Sequence, residues 1–280
     1  MSMRFGLHMS ETPLVSIVTP SYNQASYLEA TICSVLEQDY PRIEYIVMDG
    51  GSTDGSVDIL KKYSEQITFW VSEPDKGQTD AINKGFDRAT GQIFAWLNSD
   101  DLYLPGAISE VVDYFQGHPE VGLVYGDADF IDEDGNWRGI FPAARTGYRQ
   151  LRQGFVHIPQ QATFFRSRLW PLVCPLDPSF YFAMDYDLWV RIAALTPIDY
   201  VERTWAAFRL HGDAKTSRSA DQCWPEMIRV HRRLDGSNWS VIYMKYLIRR
   251  ILEPILPYRL YMRLWFQRWA LGREMVNMSS

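Results

Sequence analysis

Between Leu14 and Tyr125 short apolar runs alternate with amphipathic segments, and this alternation constrains the chain more than any other feature. Leu14–Thr19 is an apolar run of strand length. Ser26 then opens a helix, with Glu29 at capping-box spacing, and that helix runs to about Gln38 ahead of Pro41. Glu44–Met48 reads as a buried strand ending at Asp49-Gly50-Gly51. Helix over Val57–Tyr63, strand over Thr68–Val71, helix over Thr79–Ala89 and strand over Ile93–Leu97 follow. Pro105 suits the first position of a helix reaching about Phe115, and Gly122–Tyr125 is again a strand. Strands separated by helices of this length imply right-handed crossovers, hence an α/β fold with a mostly parallel, Rossmann-like central sheet flanked by helices.

In such sheets ligands sit at the carboxyl ends of the strands. Here those ends are Thr19-Pro20-Ser21-Tyr22-Asn23, Asp49-Gly50-Gly51-Ser52-Thr53-Asp54 and Asn98-Ser99-Asp100-Asp101, all polar and two of them rich in carboxylates. The second half changes character. Asp134-Gly135 marks a hairpin turn between Phe130–Ile131 and Trp137–Phe141, Ala162–Phe165 reads as a strand, Asp185–Ala194 as a helix and Tyr200–Leu210 as one or two strands.

Adjacent carboxylates at Asp100 and Asp101, on a strand-to-helix turn, suit a hard cation that bridges a diphosphate; either also suits a helix cap. Asp49 before two glycines can accept hydrogen bonds from a base or ribose, or from its own turn. Other chemistries lack their signatures. No GxGxxG follows the first strand, no GxxxxGK[ST] occurs, and Asp49–Leu60 is no EF-hand loop, because Leu60 stands where Glu is needed.

These residues together resemble family 2 glycosyltransferases of the GT-A fold, which are inverting enzymes. The resemblance rests on Leu14–Asn23, Asp49–Ser56, Glu73–Gly85, Asn98–Asp101, Tyr181–Trp189 and Phe208–Asp213, in that order, across roughly 14 to 217. It implies a nucleotide-sugar donor, UDP-linked by default, and Mn²⁺ or Mg²⁺. Pro20, Tyr22 and Asp49 would hold the nucleoside; Asp80, Asn98 and Ser99 would line the donor site. Asp100 would ligate the metal with Asp101 sharing the load, and His211 would be a further ligand or touch the diphosphate. Asp185 would be the general base on the acceptor hydroxyl. Two positions depart from the family pattern: Asn98 replaces the first Asp of Asp-x-Asp, and Met184 replaces the Glu beside the base. Gln160, Gln161 and His157 precede a strand expected near the acceptor, a glycan or a lipid-linked molecule.

Composition bounds the rest. With 280 residues and 46% hydrophobic content, one large domain has ample core. The net charge of −6 argues against a nucleic-acid partner. It is unevenly spread: Ser219–Ser280 carries 10 Lys+Arg against 5 Asp+Glu, and the remainder 18 against 29. The expected organisation is a tail over 1–13, a catalytic domain over 14–218 and a basic, aromatic helical extension over 219–280. In that extension Arg249, Arg250, Arg259, Arg263 and Arg268 interleave with Tyr243, Tyr246, Leu256, Leu260, Trp265 and Phe266. Such helices lie in a membrane interface, or pack on the domain or on a second copy of the chain in a homo-oligomer. Cys33, Cys174 and Cys223 form no CxxC pair, and no secretory leader or membrane-spanning run is visible, so the expected location is cytoplasmic, peripheral on the inner membrane face. Three other readings stay open: a nucleotidyltransferase, which would carry a Gly/Lys-rich loop where Pro20–Asn23 stands, a two-carboxylate glycoside hydrolase, and a non-catalytic nucleotide-sugar-binding or membrane-tethered scaffold.

Overall fold

The computed structural model describes residues 12–141, 143–212, 220–234 and 240–252. One sheet organises them. Its first four strands are β1 (Val15–Ser21), β2 (Ile43–Asp49), β3 (Phe69–Ser72) and β4 (Ile93–Trp96). They pair in parallel in the order β3-β2-β1-β4. Every residue of β1 is buried, which suits a central strand covered by helices on both faces. The connecting helices are α1 (Ala25–Leu36), α2 (Ser56–Lys62) and α3 (Gln78–Arg88). Helix α3 packs so closely on β1 that a Cβ at Gly85 would lie 2.4 Å from Val18 Cγ1. Only glycine allows that approach.

The rest of the sheet is mixed. β5 (Leu102–Tyr103) precedes α4 (Ala107–Gly117), which leads to β6 (Leu123–Ile131), β7 (Trp137–Phe141), α5 (Tyr148–Arg152), β8 (Thr163–Arg166), α6 (Trp170–Val173), α7 (Met184–Ala193) and β9 (Ile198–Arg209). The sheet continues from β4 through β8, β6 and β9 to β5, with β7 on the side of β6. β8 runs antiparallel to both β4 and β6, whereas β6 and β9 are parallel. Each sheet face carries its own core. One holds Phe86, Phe94, Trp96, Phe165 and Trp189; the other holds Leu28, Ile32, Val111, Phe115 and Trp205. Offset and edge-on aromatic pairs lock the first, with Phe86 and Phe94 stacked at 5.1 Å and Trp96 and Trp189 at 5.3 Å.

Several local expectations need correction. Ser26 does not cap α1, whose N-cap is Gln24 with no side-chain cap of its own. The Ala25 N–H donates to Asp54 Oδ2 at 2.9 Å and the Gln24 N–H to Ser56 Oγ at 3.2 Å, so the loop before α2 caps α1 from outside. Glu29 instead accepts from Lys62 and Tyr63 on the α2 side. Pro105 lies before its helix, because Gly106, at φ 80°, is the N-cap of α4. β6 extends six residues past Tyr125, since it pairs with β7 as well as β9. The two-residue strand β5, which has too little sequence to show a period, pairs antiparallel with β9.

The expected boundary near Arg218 lies outside the described residues. Beyond it, α8 (Ala220–Arg233) is built into the domain: Val230 is a core residue and His231 Nδ1 lies 2.7 Å from the Arg152 carbonyl. α9 (Val241–Leu252) buries Ile242, while Met244, Leu247 and Ile248 face outward. Arg259, Arg263, Arg268 and the remainder of the extension lie outside the described residues, as does the 1–11 part of the amino-terminal tail. Among the described residues no helix is long and apolar enough to cross a membrane.

Candidate active site

The carboxyl ends of β1, β2 and β4 form one rim of the sheet. Pro20 and Ser21 end β1 buried, and the next residue, Tyr22, is 61% exposed. Asn23 turns the chain at φ 51°. Its side-chain carbonyl accepts from the Thr53 N–H at 2.9 Å, and its own N–H donates to Ser52 Oγ at 2.7 Å. The ends of β1 and β2 are thereby laced together. Asp49, which closes β2, is almost wholly buried. Its Oδ2 accepts from the Ser52 N–H at 2.9 Å and the Ser72 hydroxyl at 2.6 Å, and its Oδ1 from the Ser52 hydroxyl at 2.5 Å. Gly51 follows at φ 82°, a backbone that glycine adopts without strain. In this structure Asp49 therefore shapes the turn at the end of β2, with protein donors on both oxygens.

Asn98 is the centre of the rim. Gln78, the first residue of α3, donates to Asn98 Oδ1 at 2.7 Å. Asn98 Nδ2 donates to Asp101 Oδ2 at 3.2 Å and to Gln160 Oε1 at 3.1 Å. Gln160 Nε2 in turn donates to the Trp96 carbonyl at 2.7 Å. Amide oxygen and nitrogen are thus both engaged, and the amide joins α3, the end of β4 and the turn before β8. Gln160 is spent on this network. Gln161, beside it, is buried with an amide nitrogen that has no protein partner. Ser99 is buried as well.

The two aspartates behave differently. Asp101 is fully buried; its Oδ1 accepts the Arg209 N–H at 3.0 Å and its Oδ2 the Asn98 amide. Burial, and then the neighbouring Asp100 carboxylate, push its carboxyl well above the ordinary range, against the donors from Arg209 and Asn98. Asp101 thus holds the loop in place with protein partners on both oxygens. Asp100 is the accessible one, and its Oδ2 lies 3.0 Å from His211 Nε2 although the two are 111 residues apart in sequence. β9 delivers His211. The Arg209 side chain holds the delivery in register, donating from Nε to the Asp100 carbonyl and from Nη1 to the Asp132 and Glu133 carbonyls in the β6–β7 turn. Its guanidinium also lies 5.0 Å from the centre of the Tyr27 ring.

Asp100 and His211 fit a divalent ion that takes its other ligands from a diphosphate, since Mg²⁺-type sites use one or two carboxylates plus substrate phosphates. Among the described residues no group of three or more acidic, His or Cys side chains forms an all-protein metal cage.

Asp80, in the first turn of α3, accepts from the Lys76 N–H at 3.2 Å and pairs with Lys84 at 3.0 Å. Partial burial pushes its carboxyl up, but Lys84 and the Lys76 N–H outweigh that and hold it below the usual carboxylate range. Asp185 is the second residue of α7, half-buried, with Oδ1 accepting the Tyr186 N–H at 2.6 Å. Met184 beside it is buried and its sulfur accepts the Thr79 hydroxyl at 2.9 Å, which fastens the start of α7 to the start of α3. Asp187 pairs with Arg191 one turn on, at 2.9 Å.

A doubly covered mixed sheet with a polar, carboxylate-bearing rim at its parallel strand ends defines an α/β protein whose ligand site lies at those ends. The family model described as Glycosyl transferase family 2 matches residues 16–186, and the chain belongs to that family. It is 31% identical to an uncharacterised glycosyltransferase of Rickettsia conorii, over 75% of this chain and 37% of that protein. It is 34% identical to one of Mycobacterium tuberculosis, over 66% and 71% of the two chains. A PGL/p-HBAD biosynthesis glycosyltransferase of Mycobacterium bovis is 30% identical over 64% and 69%. The chain thus spans little over a third of the Rickettsia relative. Among solved structures, S. aureus TarS 1–349 in complex with UDP-GlcNAc superposes with a TM-score of 0.63 at 15% identity, over 86% and 73% of the two chains. Mannosyltransferase PcManGT from Pyrobaculum calidifontis, in complex with GDP-Man and Mn²⁺, gives 0.59 at 20% identity, over 79% and 65%. The fold is the GT-A glycosyltransferase fold, as the sequence led one to expect.

Proposed function

We propose that this chain transfers a sugar from a nucleotide-diphosphate sugar to an acceptor hydroxyl, with inversion and with the help of a divalent cation. The observation that carries the reading is the Asp100–His211 pair, which two distant segments bring to the carboxyl end of β4 at 3.0 Å. Pro20, Tyr22 and Asp49 cradle the nucleoside; Asp80, Asn98 and Ser99 line the donor side. When bound, the cation neutralises charge on the departing diphosphate. Asp185 takes the proton from the acceptor hydroxyl as the new bond forms, a step for which a positioned base supplies roughly 10²- to 10⁴-fold. Gln161 offers its buried amide to an acceptor hydroxyl, with Gln160 setting the turn that carries it.

UDP is the favoured nucleotide: a fold neighbour was solved with UDP-GlcNAc, although another holds GDP-Man and Mn²⁺. Synthesis of cell-surface polysaccharide or glycoconjugate is the favoured setting, in line with the relative named for PGL biosynthesis. We assign the arginine- and aromatic-rich residues that follow Leu252 to an anionic membrane surface on the cytoplasmic side, with the exposed Met244, Leu247 and Ile248 of α9 leading up to them in sequence. The test is a panel of UDP-, dTDP- and GDP-sugars scored for release of free nucleotide diphosphate, with Mn²⁺ or with EDTA. Release from one donor class that stops with EDTA and in Asp100→Ala supports the reading. No release from any donor in the panel, by a protein that binds none of the nucleotides, would count against it.

A further inference from the structure

We infer that Glu226, on α8 and beyond the 16–186 family match, is a positioning residue for the Asp185 carboxylate; the inference rests on Asp185 being the base. Three consecutive backbone amides converge on this one side chain. Its Oε1 accepts the Tyr181 N–H at 2.8 Å, and its Oε2 accepts Phe182 N–H at 2.7 Å and Ala183 N–H at 3.0 Å. Ala183 is the N-cap of α7, and that helix has no side-chain cap of its own. A helix start leaves donors unsatisfied and carries partial positive charge, and successive amides form a concavity that takes an anion. Here a carboxylate from another helix fills it, through charge-assisted bonds.

The grip extends along the segment that leads to the base. One face of α8 presents Glu226, Arg229 and Arg233 at spacings of three and four. Arg229 donates to the Ser179 carbonyl, Arg233 Nη1 lies 2.5 Å from Asp177 Oδ2, and both guanidinium groups pack on the Phe180 ring, at 4.1 and 4.7 Å. Behind that face Val230 and His231 are buried, so α8 is itself a fixed support. The contacts run from residue 177 to 183 and end two residues before Asp185. Met184, at the position where the resemblance implies a Glu, brings a thioether, and the carboxylate that holds the amides just before α7 comes from Glu226. A base must be held within about 0.5 Å of its working position, and a misplacement of about 1 Å can cost roughly a hundredfold in rate.

The test compares full-length Glu226→Ala, Glu226→Gln and Asp185→Asn with the parent chain. Turnover and donor KM are measured with the donor chosen by the panel and expressed per site that binds UDP in calorimetry with Mn²⁺. Amide hydrogen exchange is followed over residues 177–187. Glu226→Ala is expected to lower kcat by about tenfold to a hundredfold with donor KM within about twofold, and to speed exchange at 181–186. Glu226→Gln, which keeps one acceptor oxygen, is expected to fall between. If Glu226→Ala binds too little UDP to assay, the Gln variant alone decides. A slow Asp185→Asn beside Glu226 variants at full kcat overturns the inference alone, and faster exchange without a rate loss makes Glu226 a structural cap. Full kcat in Asp185→Asn overturns the base assignment, and this inference with it.

Discussion

At the residue scale, Asn98 shows how an expectation changes once partners are known. A carboxylate at that position would add charge near a cation, which suggests a gain in metal affinity. In the structure the Asn98 amide donates to Asp101, a carboxylate buried without solvent, and to Gln160. Asn98→Asp removes both donors and sets two carboxylates against each other. We expect a loss of about 1 to 3 kcal/mol, the scale for a buried polar group left unpaired, seen as a lower melting temperature and weaker UDP binding. An unchanged melting temperature would mean the network contributes nothing. Asp187 and Asp185 separate in the same way. Asp187→Asn breaks the pair with Arg191 and should cost stability. Asp185→Asn keeps the shape and should slow transfer at least about a hundredfold with donor binding intact. The opposite pattern would exchange their roles. Arg209 lay inside a segment whose resemblance was plain, yet nothing in the sequence marked it as the side chain joining Asp100, the β6–β7 turn and Tyr27. Its hydrogen-bond acceptors there are backbone carbonyls, which a sequence does not display.

At the element scale, the strands and helices up to α4 were legible because buried parallel strands are continuous apolar runs and their helices are amphipathic. What escaped were features made by tertiary partners: the cap of α1 by Asp54 and Ser56, the two-residue β5, and the length of β6. α8 is the largest such case. Its composition belongs to the basic extension, but its Glu226, Arg229 and Arg233 serve the segment before α7. The Asp177–Arg233 contact gives this docking a pH signature. Burial pushes the Asp177 carboxyl up, but Ser179 and Arg233 outweigh it and bring it down to about 2. A carboxyl lowered on folding contributes stability that is present above its unfolded value, about 3.9, and is lost as pH falls through about 2. Arg233→Met should therefore be less stable than the parent above about pH 5, with the gap closing toward pH 2. A gap of constant size across that range would mean that the arginine acts through its packing on Phe180 alone.

At the scale of the whole molecule, the sheet rim gathers residues from position 20 to position 211, and the support for the site reaches position 226. α8, which follows the expected boundary near Arg218, packs on the domain through Val230 and His231. Truncation after Leu252 is expected to keep UDP binding and thermal stability and to lose sedimentation with anionic vesicles, an attraction that salt weakens. Truncation before Ala220 should lose the transferase. Vesicle binding that survives removal of 253–280 would place the lipid contact on α9 or elsewhere in the domain. The most direct measurement of the central claim is calorimetric titration of UDP into the protein with Mn²⁺ and with EDTA, on the parent chain and on Asp100→Ala. The account predicts binding that needs the cation and falls at least about tenfold in the variant. Binding of equal strength in all four experiments would contradict it.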